Sequence, residues 1–203
     1  MAAAIVPARA ADGGAAARAP VILVLGDSLS AEYGLPRGAG WVALLEKKLA
    51  AEKTGATVVN ASISGDTTSG GRARLPALLA RHKPSHVILE LGSNDALRGL
   101  PLEMTQANLL AMTQAAQALQ AKVTLVGMQV PPNYGARYAG QFAALFEQVA
   151  RQTGAARVPF LLKGVADAPD AATQRFQADG LHPDAQAQPA MLENVWPVLK
   201  AQL

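Results

Sequence analysis

The chain has 203 residues, of which 50% are hydrophobic and 16% are charged, and its formal net charge is +3. This length and apolar content predict one folded domain with a sizeable core and exclude a largely disordered chain. The chain contains no cysteine, which excludes disulfide bonds, a thiolate nucleophile and cysteine-ligated zinc. Lys and Arg are dispersed along the sequence, so nothing in it indicates nucleic-acid binding.

The first residues differ in composition from the rest. Residues 1–19 are rich in alanine and lack apolar periodicity, so we assign them to a segment in front of a single domain over 20–203. Ala8-Arg9-Ala10 is typical of the end of a secretory signal peptide, although the apolar run before it is short and no basic residue precedes that run. Two interpretations stay open, a disordered low-complexity tail and a signal-peptide remnant. No apolar stretch reaches the roughly 18 residues of a membrane-spanning helix, so we expect no transmembrane segment.

From residue 21 onward, short apolar runs alternate with longer amphipathic segments. The strands predicted in chain order are 21–25, 57–60, 86–91, 123–126 and 158–162. The predicted helices are 41–53, 72–81, 102–120, 138–152 and 185–199, and Pro197 is expected to end or kink the last of them. Because parallel strands need helical crossovers, this alternation predicts a three-layer α/β sandwich around a mostly parallel sheet of about five strands.

The loops that follow the predicted strands are unusually polar. Ligand sites of open parallel sheets lie beyond the carboxyl ends of the strands, so chemistry is expected in these loops. Ser28 is the candidate nucleophile, because a serine hydroxyl beside a base attacks acyl carbonyls. Each motif taken singly is also a common turn or helix cap. The motifs are Gly26-Asp27-Ser28-Leu29-Ser30, Ser64-Gly65-Asp66-Thr67 and Gly92-Ser93-Asn94-Asp95, followed late in the chain by Asp179-Gly180-Leu181-His182-Pro183.

A serine nucleophile needs a base, and the chain has only 3 histidines. His82 and His86 are predicted at the amino end of the sheet, which leaves His182 as the candidate base. Asp179, three residues earlier, is placed to orient the imidazole and to stabilise the imidazolium. Pro84 breaks the helix that a His-x-x-x-His metal site at residues 82 and 86 would require, so we expect no metal and no other cofactor.

The tetrahedral intermediate of acyl transfer needs hydrogen-bond donors aimed at its oxyanion. The candidates are the backbone N–H of Ser28, the backbone N–H of Gly65 and the side-chain amide of Asn94. We interpret Asp27 as a residue that holds its loop and not as the acid of the triad, because Asp179 already lies beside the histidine. Asp66 and Asp95 are expected to hydrogen-bond within their loops.

Two apolar groups follow the third and fourth predicted strands, and two interpretations of them stay open. They either line a groove for an acyl chain or belong to ordinary core packing. They are Leu97, Leu100, Leu102 and Met104, and then Pro131, Pro132, Tyr134 and Tyr138.

The four polar motifs, in this order, resemble the SGNH or GDSL hydrolases, and the resemblance runs from about residue 21 to the end of the chain. Residues 60–67, 73–79, 90–92 and 132–135 are also similar to a bacterial periplasmic subgroup of thioesterases, arylesterases and lysophospholipases. The resemblance implies a flavodoxin-like SGNH fold, a Ser28, His182 and Asp179 triad, and an oxyanion hole formed by Ser28, Gly65 and Asn94. It also implies a periplasmic or secreted location, with the cytoplasm as the alternative. Ser93 stands where many members of the subgroup have glycine, which implies a stiffer loop there.

The function expected from these residues is hydrolysis of acyl esters or thioesters through an acyl-enzyme. The expected substrates are small molecules such as acyl-CoA, aryl esters or lysophospholipids, and the expected form is a monomer, with an oligomer left open. One alternative is a carbohydrate O-deacetylase of the same family. A second is a non-catalytic flavodoxin-like protein that binds an anion. The chain lacks the glycine spacing of a phosphate-binding loop, which argues against this second alternative.

Overall fold

The computed structural model describes residues 19–167 and 175–203, so the tail predicted for residues 1–19 lies, apart from Ala19, outside the described residues. The first strand, β1 (Val21–Gly26), is an uninterrupted apolar run. Its residues Ile22, Leu23, Val24 and Leu25 are fully buried. A run of this kind, without alternation, forms a strand that is covered on both faces.

Four further strands and six helices follow among the described residues. The strands are β2 (Thr57–Asn60), β3 (His86–Glu90), β4 (Lys122–Val126) and β5 (Ala156–Val158). The helices are α1 (Trp41–Ala51), α2 (Thr68–His82), α3 (Ser93–Leu97), α4 (Leu102–Ala118), α5 (Ala136–Thr153) and α6 (Gln188–Lys200).

The five strands form one sheet in the order β2-β1-β3-β4-β5, and every pairing is parallel. The chain leaves β1 towards one edge and returns from β2 to the other side of β1, so the strand order reverses between β1 and β3. Ligand sites in open parallel sheets occur at such a reversal, beyond the carboxyl ends of the strands. The loops after Gly26 and Glu90 therefore lie where a site is expected.

Helices cover both faces of this sheet. α1 packs against α6, and α2, α4 and α5 pack in series. In α5 the buried side chains recur with helical spacing, since Phe142, Leu145, Phe146 and Val149 are all turned inward. The three-layer α/β sandwich predicted from the sequence is confirmed.

Several boundaries differ from the prediction, most of all in the fifth strand. β5 ends at Val158 and does not extend to Leu162, because Pro159 has no N–H to donate to a strand ladder. Phe160, Leu161 and Leu162 are instead buried in the core after the strand.

Three helices also differ. α2 begins at Thr68, four residues before the predicted start, because the Thr67 hydroxyl accepts a hydrogen bond from Gly70 N and caps it. α3 was not predicted. α6 begins at Gln188 and not at Ala185, since the Asp184 carboxylate accepts from Gln186 N and Ala187 N and forms a turn there. α6 continues past Pro197 to Lys200, so of the two predicted effects of this proline the end of the helix is excluded, and a kink stays a prediction.

Within the described ranges, no helix combines the length and the apolar character needed to cross a membrane.

Candidate active site

Ser28 lies in a turn directly after β1, an inner strand of the sheet. The turn is closed by Ala31 N, which donates to Asp27 O at 3.0 Å. Ser28 Oγ lies 2.9 Å from Nε2 of His182, although the two residues are 154 positions apart in the chain. The sequence-predicted nucleophile and base are therefore in hydrogen-bond contact.

His182 is held from its other side by Asp179. His182 Nδ1 lies 2.7 Å from Asp179 Oδ2, and the backbone N–H groups of His182 and Leu181 donate to Asp179 Oδ1. These two N–H groups, with the imidazole, lower the pKa of Asp179 to about 2. An ionised Asp179 favours the proton on Nδ1, which makes Nε2 a hydrogen-bond acceptor for the Ser28 hydroxyl.

A hairpin-shaped loop closed by one antiparallel bridge carries this pair, and we call residues 175–184 the histidine hairpin. Asp184 N donates to Arg175 O, Gln177 N donates to His182 O, and Phe176 pairs with Pro183 in an antiparallel bridge. The hairpin is on the surface, with 22% of the His182 side chain and 38% of the Asp179 side chain exposed.

Asn94 reaches the same site from the loop after β3. Its side-chain Nδ2 donates to Asp27 Oδ2 at 3.0 Å, and Asp27 Oδ1 accepts from Leu29 N at 3.0 Å. The prediction that Asp27 holds its loop is confirmed. This contact joins the loops after β1 and β3 across the point where the strand order reverses.

Gly65 lies on the loop after β2, beside the site. Ile63 N donates to Gly26 O at 3.0 Å, which ties this loop to the end of β1. Gly65 has φ +77°, a left-handed conformation that glycine adopts without strain, and its carbonyl accepts from the Arg98 guanidinium at 2.7 Å. The predicted oxyanion donors thus lie in the segments that follow three adjacent strands, β2, β1 and β3.

Comparison with known proteins matches residues 24–189 to the GDSL-like lipase/acylhydrolase family. The chain belongs to this family.

Two relatives cover most of the acylhydrolase. It is 54% identical over 187 residues to Esterase TesA of Pseudomonas aeruginosa, covering 92% of this chain and 91% of that protein. It is 43% identical over 174 residues to Thioesterase 1/protease 1/lysophospholipase L1 of Escherichia coli K12, covering 86% of this chain and 80% of that protein. The crystal structure of TesA superposes with a TM-score of 0.86 at 54% identity, covering 90% of this chain and 99% of that chain.

Beneath the loop that follows β1 in the acylhydrolase lies a buried carboxyl group. Glu90 ends β3, is fully buried, and accepts from Ser30 Oγ at 2.7 Å and from Asp27 N at 3.3 Å. Burial, reinforced by the neighbouring Asp27 carboxyl, holds the pKa of Glu90 well above its ordinary value. Burial likewise raises the pKa of Asp27 to about 6. Gly26 leaves room for this group, since a Cβ there would lie 2.7 Å from Glu90 Oε2.

Asp66 accepts from Thr67 N in its own loop, as predicted, whereas Asp95 lies in α3 and bonds to other elements. Asp66 forms an ion pair with Arg74, and Asp95 is fully buried and accepts from Thr68 N at 2.8 Å and from Thr105 Oγ1 at 3.2 Å. Asp95 thereby anchors α3, which carries Asn94, to the starts of α2 and α4.

Sequence reasoning missed the residues around the imidazole. The Tyr33 ring lies over His182 with a centroid separation of 4.4 Å and an interplanar angle of 39°. Gln177 connects the loop of Tyr33 to the histidine hairpin. No sequence signal marks either residue, because neither belongs to a reactive motif and their partners are distant in the chain.

A groove of about 710 Å³ opens between the start of α4 and α5. Leu100, Leu102 and Tyr138 line it, and Leu102 and Tyr138 also pack against the core. Core packing is therefore shown for these two residues. The groove lining includes neither Ser28 nor His182, so its use by an acyl chain stays a prediction. Leu97 lies outside the lining and is 45% exposed.

The remaining histidines stay away from the site, as predicted. His86, at the start of β3, is buried, and its Nε2 lies 3.1 Å from Gln202 O. Burial lowers the pKa of His86, which favours the neutral ring. His82 is the last residue of α2.

Proposed function

We propose that this acylhydrolase cleaves acyl esters and thioesters through an acyl-enzyme, with Ser28 as the nucleophile, His182 as the base and Asp179 as the residue that orients the base. The observation that carries the proposal is the continuous contact from Ser28 Oγ to His182 Nε2, at 2.9 Å, and from His182 Nδ1 to Asp179 Oδ2, at 2.7 Å. A serine, a histidine and an ionised carboxylate in this arrangement form the triad of serine hydrolases.

In the first step, Ser28 Oγ attacks the carbonyl carbon while His182 Nε2 takes the hydroxyl proton. The imidazolium is stabilised by Asp179 and returns the proton to the leaving alcohol or thiol, which leaves Ser28 acylated. In the second step, His182 takes a proton from water, the hydroxide attacks the acyl carbon, and Ser28 Oγ leaves with the proton that His182 returns.

We assign the stabilisation of the oxyanion to the N–H of Ser28, the N–H of Gly65 and the amide of Asn94. Asp27 supports this assignment for Asn94, because the carboxyl oxygen that accepts from Nδ2 fixes the plane of the amide. An amide fixed before the substrate binds stabilises developing charge without reorganisation.

The substrate class is argued from the names of the relatives. These are Esterase TesA and Thioesterase 1/protease 1/lysophospholipase L1. We therefore favour fatty acyl esters and thioesters over the acetyl esters of carbohydrates.

The proposal is tested with p-nitrophenyl esters and acyl-CoA thioesters of increasing chain length, assayed with the wild type, Ser28→Ala and a control, Ser69→Ala. Ser69 is exposed on α2, outside the proposed triad. We expect Ser28→Ala to lower kcat by at least about a thousandfold on every substrate and Ser69→Ala to leave it unchanged. Full activity of Ser28→Ala would overturn the proposed nucleophile, and an optimum at acetyl esters would favour the deacetylase.

We also propose export from the cytoplasm, as the resemblance implies. The supporting sequence feature, Ala8-Arg9-Ala10, lies outside the described residues. Fractionation of cells that express the full chain tests this, and recovery of the protein only with cytoplasmic markers would contradict it.

A monomeric form remains a prediction, to be checked by light scattering.

A further inference from the structure

We propose that Gln177 is a positioning residue that clamps the histidine hairpin to the loop of Ser28. This loop, residues 27–40, is called the nucleophile loop. The inference rests on the proposed function, since it concerns how His182 is kept at the distance from which it acts on Ser28.

The clamp is made by one amide group that bonds to both segments. Gln177 Nε2 donates to Tyr33 O at 2.8 Å, in the nucleophile loop, and to Pro183 O at 3.1 Å, in the histidine hairpin. The backbone of Gln177 also belongs to the hairpin, because its N–H donates to His182 O at 2.8 Å and its carbonyl accepts from Gly180 N at 2.9 Å. Gln177 therefore links the nucleophile loop, which carries Ser28, to the histidine hairpin, which carries His182.

The histidine hairpin has few attachments to the rest of the molecule. It is a surface element closed by a single antiparallel bridge, Phe176 packs against the core, and Leu181 near its tip is 51% exposed. An isolated hairpin is marginally stable in water. Among the hydrogen bonds of the described residues, only Gln177 to Tyr33 joins residues 175–187 to the nucleophile loop apart from the bond between Ser28 and His182 itself.

The nucleophile loop is shaped to receive the clamp. Gly34 has φ +68°, and a Cβ at this position would overlap Oε1 of Gln177. The two carboxylate oxygens of Glu32 accept from Gly38 N and Gly40 N and hold the rest of the loop. Tyr33 N donates to Ser28 O at 3.3 Å. The residue whose carbonyl Gln177 binds is therefore itself hydrogen-bonded to the backbone of Ser28.

The clamp also sets the ring of Tyr33 over the imidazole of His182. An aromatic face within about 6 Å attracts a cation, so the ring favours the imidazolium that forms when Ser28 gives up its proton. Loss of the clamp affects the transition state in two ways, through the distance between Ser28 and His182 and through the contact with Tyr33. A displacement of about 1 Å at such a site lowers the rate by about a hundredfold.

The test compares Gln177→Leu, which keeps the bulk of the side chain and removes its donor, with Gln114→Leu on the exposed face of α4. With p-nitrophenyl butyrate, we expect Gln177→Leu to lower kcat by about tenfold to a hundredfold while KM changes by less than about twofold. We expect Gln114→Leu to match the wild type. A change confined to KM, or a wild-type kcat in Gln177→Leu, overturns the proposal.

A second variant keeps the test decisive if Gln177→Leu folds poorly. Gly34→Ala leaves Gln177 in place, but the added Cβ overlaps Gln177 Oε1 and also strains the backbone at φ +68°, so we expect a similar loss of kcat. In the double variant Gly34→Ala/Gln177→Ala the overlap is gone and only the backbone strain remains. Its kcat is expected to be no lower than that of the less active of the two single variants, Gly34→Ala and Gln177→Ala. Additive losses would overturn the proposal, because they show independent damage.

The same assays separate this proposal from the proposed function. If Ser28→Ala retains activity, the assignment of the nucleophile fails. If Ser28→Ala is inactive and Gln177→Leu is fully active, the clamp alone fails.

Discussion

At the scale of single residues, the candidate oxyanion donor depends on a carboxyl group that is buried at a free-energy cost. Asp27 is 1% exposed and accepts from Asn94 Nδ2 and Leu29 N. Removal from water disfavours its ionised form, and these two donors only partly offset that effect, so its pKa stays raised at about 6. The amide of Asn94 is therefore oriented by a group that is less stable when charged.

Asn94→Ala removes the proposed side-chain donor of the oxyanion hole. We expect kcat for p-nitrophenyl butyrate to fall by about a hundredfold to a thousandfold, with a much smaller change in KM, because the bond strengthens as charge develops. Steady-state kinetics of this variant beside Asn133→Ala, an exposed asparagine in the loop after β4, provide the measurement. An effect on KM alone would contradict the oxyanion role.

Asp27→Asn replaces a buried ionisable group by an amide that does not titrate. In the wild type the pKa of Asp27 rises from its ordinary 3.8 to about 6, so the native state binds this proton more tightly than the unfolded chain does. The resulting stability is present below about pH 4 and is lost as the pH rises through about 6, in total about 3 kcal/mol. Urea unfolding gives the free energy of unfolding, which should fall between pH 4 and pH 7 in the wild type. In Asp27→Asn this fall should be smaller by about this amount.

Glu46→Gln, which alters an exposed carboxylate on α1, serves as the control for this comparison. It is expected to keep the pH dependence of the wild type. An identical pH dependence in wild type and Asp27→Asn would show that burial does not shift this group.

At the scale of elements, the starts of α1 and α6 share one buried side chain. The cap residue of α1, Gly40, offers no side-chain acceptor, so the N–H of Trp41 needs a partner from elsewhere. Gln188, 1% exposed at the start of α6, accepts from Trp41 N at 3.0 Å and donates from Nε2 to Asp184 O at 3.1 Å. One amide thus orients two helices against the same face of the sheet.

Gln188→Leu leaves the buried N–H of Trp41 and the carbonyl of Asp184 without this partner. We expect the free energy of unfolding to fall by about 1–3 kcal/mol, the cost of an unsatisfied buried polar group. Denaturant unfolding beside Gln186→Leu, an exposed glutamine two residues earlier, checks this. A loss as small as that of the control would show that water replaces the amide.

At the scale of the whole molecule, the sheet and its order of strands and helices follow from the sequence, because β1, β3 and β4 are apolar runs that only a doubly covered sheet accommodates. The boundaries that the sequence missed depend on single residues. Pro159 ends β5 where apolar residues continue, and Gly70 and Gly71 conceal the first turn of α2. Gly71 is required there because a Cβ would overlap the Leu91 side chain.

The candidate site divides in the same way. Ser28, His182, Asp179 and Asn94 are predictable because each carries a reactive or polar group in a loop after a strand or before the last helix. Glu90 and Gln177 are not predictable, since a carboxyl group at the end of a strand and a glutamine in a loop acquire their roles only from partners 60 and 144 positions away.

The separation of 154 residues between Ser28 and His182 has a consequence for the synthesis of the enzyme. A ribosome releases Ser28, the proposed nucleophile, long before His182, the proposed base, so a partly made chain carries a serine hydroxyl without this partner. Because the bond between them closes a loop of 154 residues, we expect it to form after the sheet has assembled. Recovery of hydrolysis during refolding is then expected to report docking of the histidine hairpin.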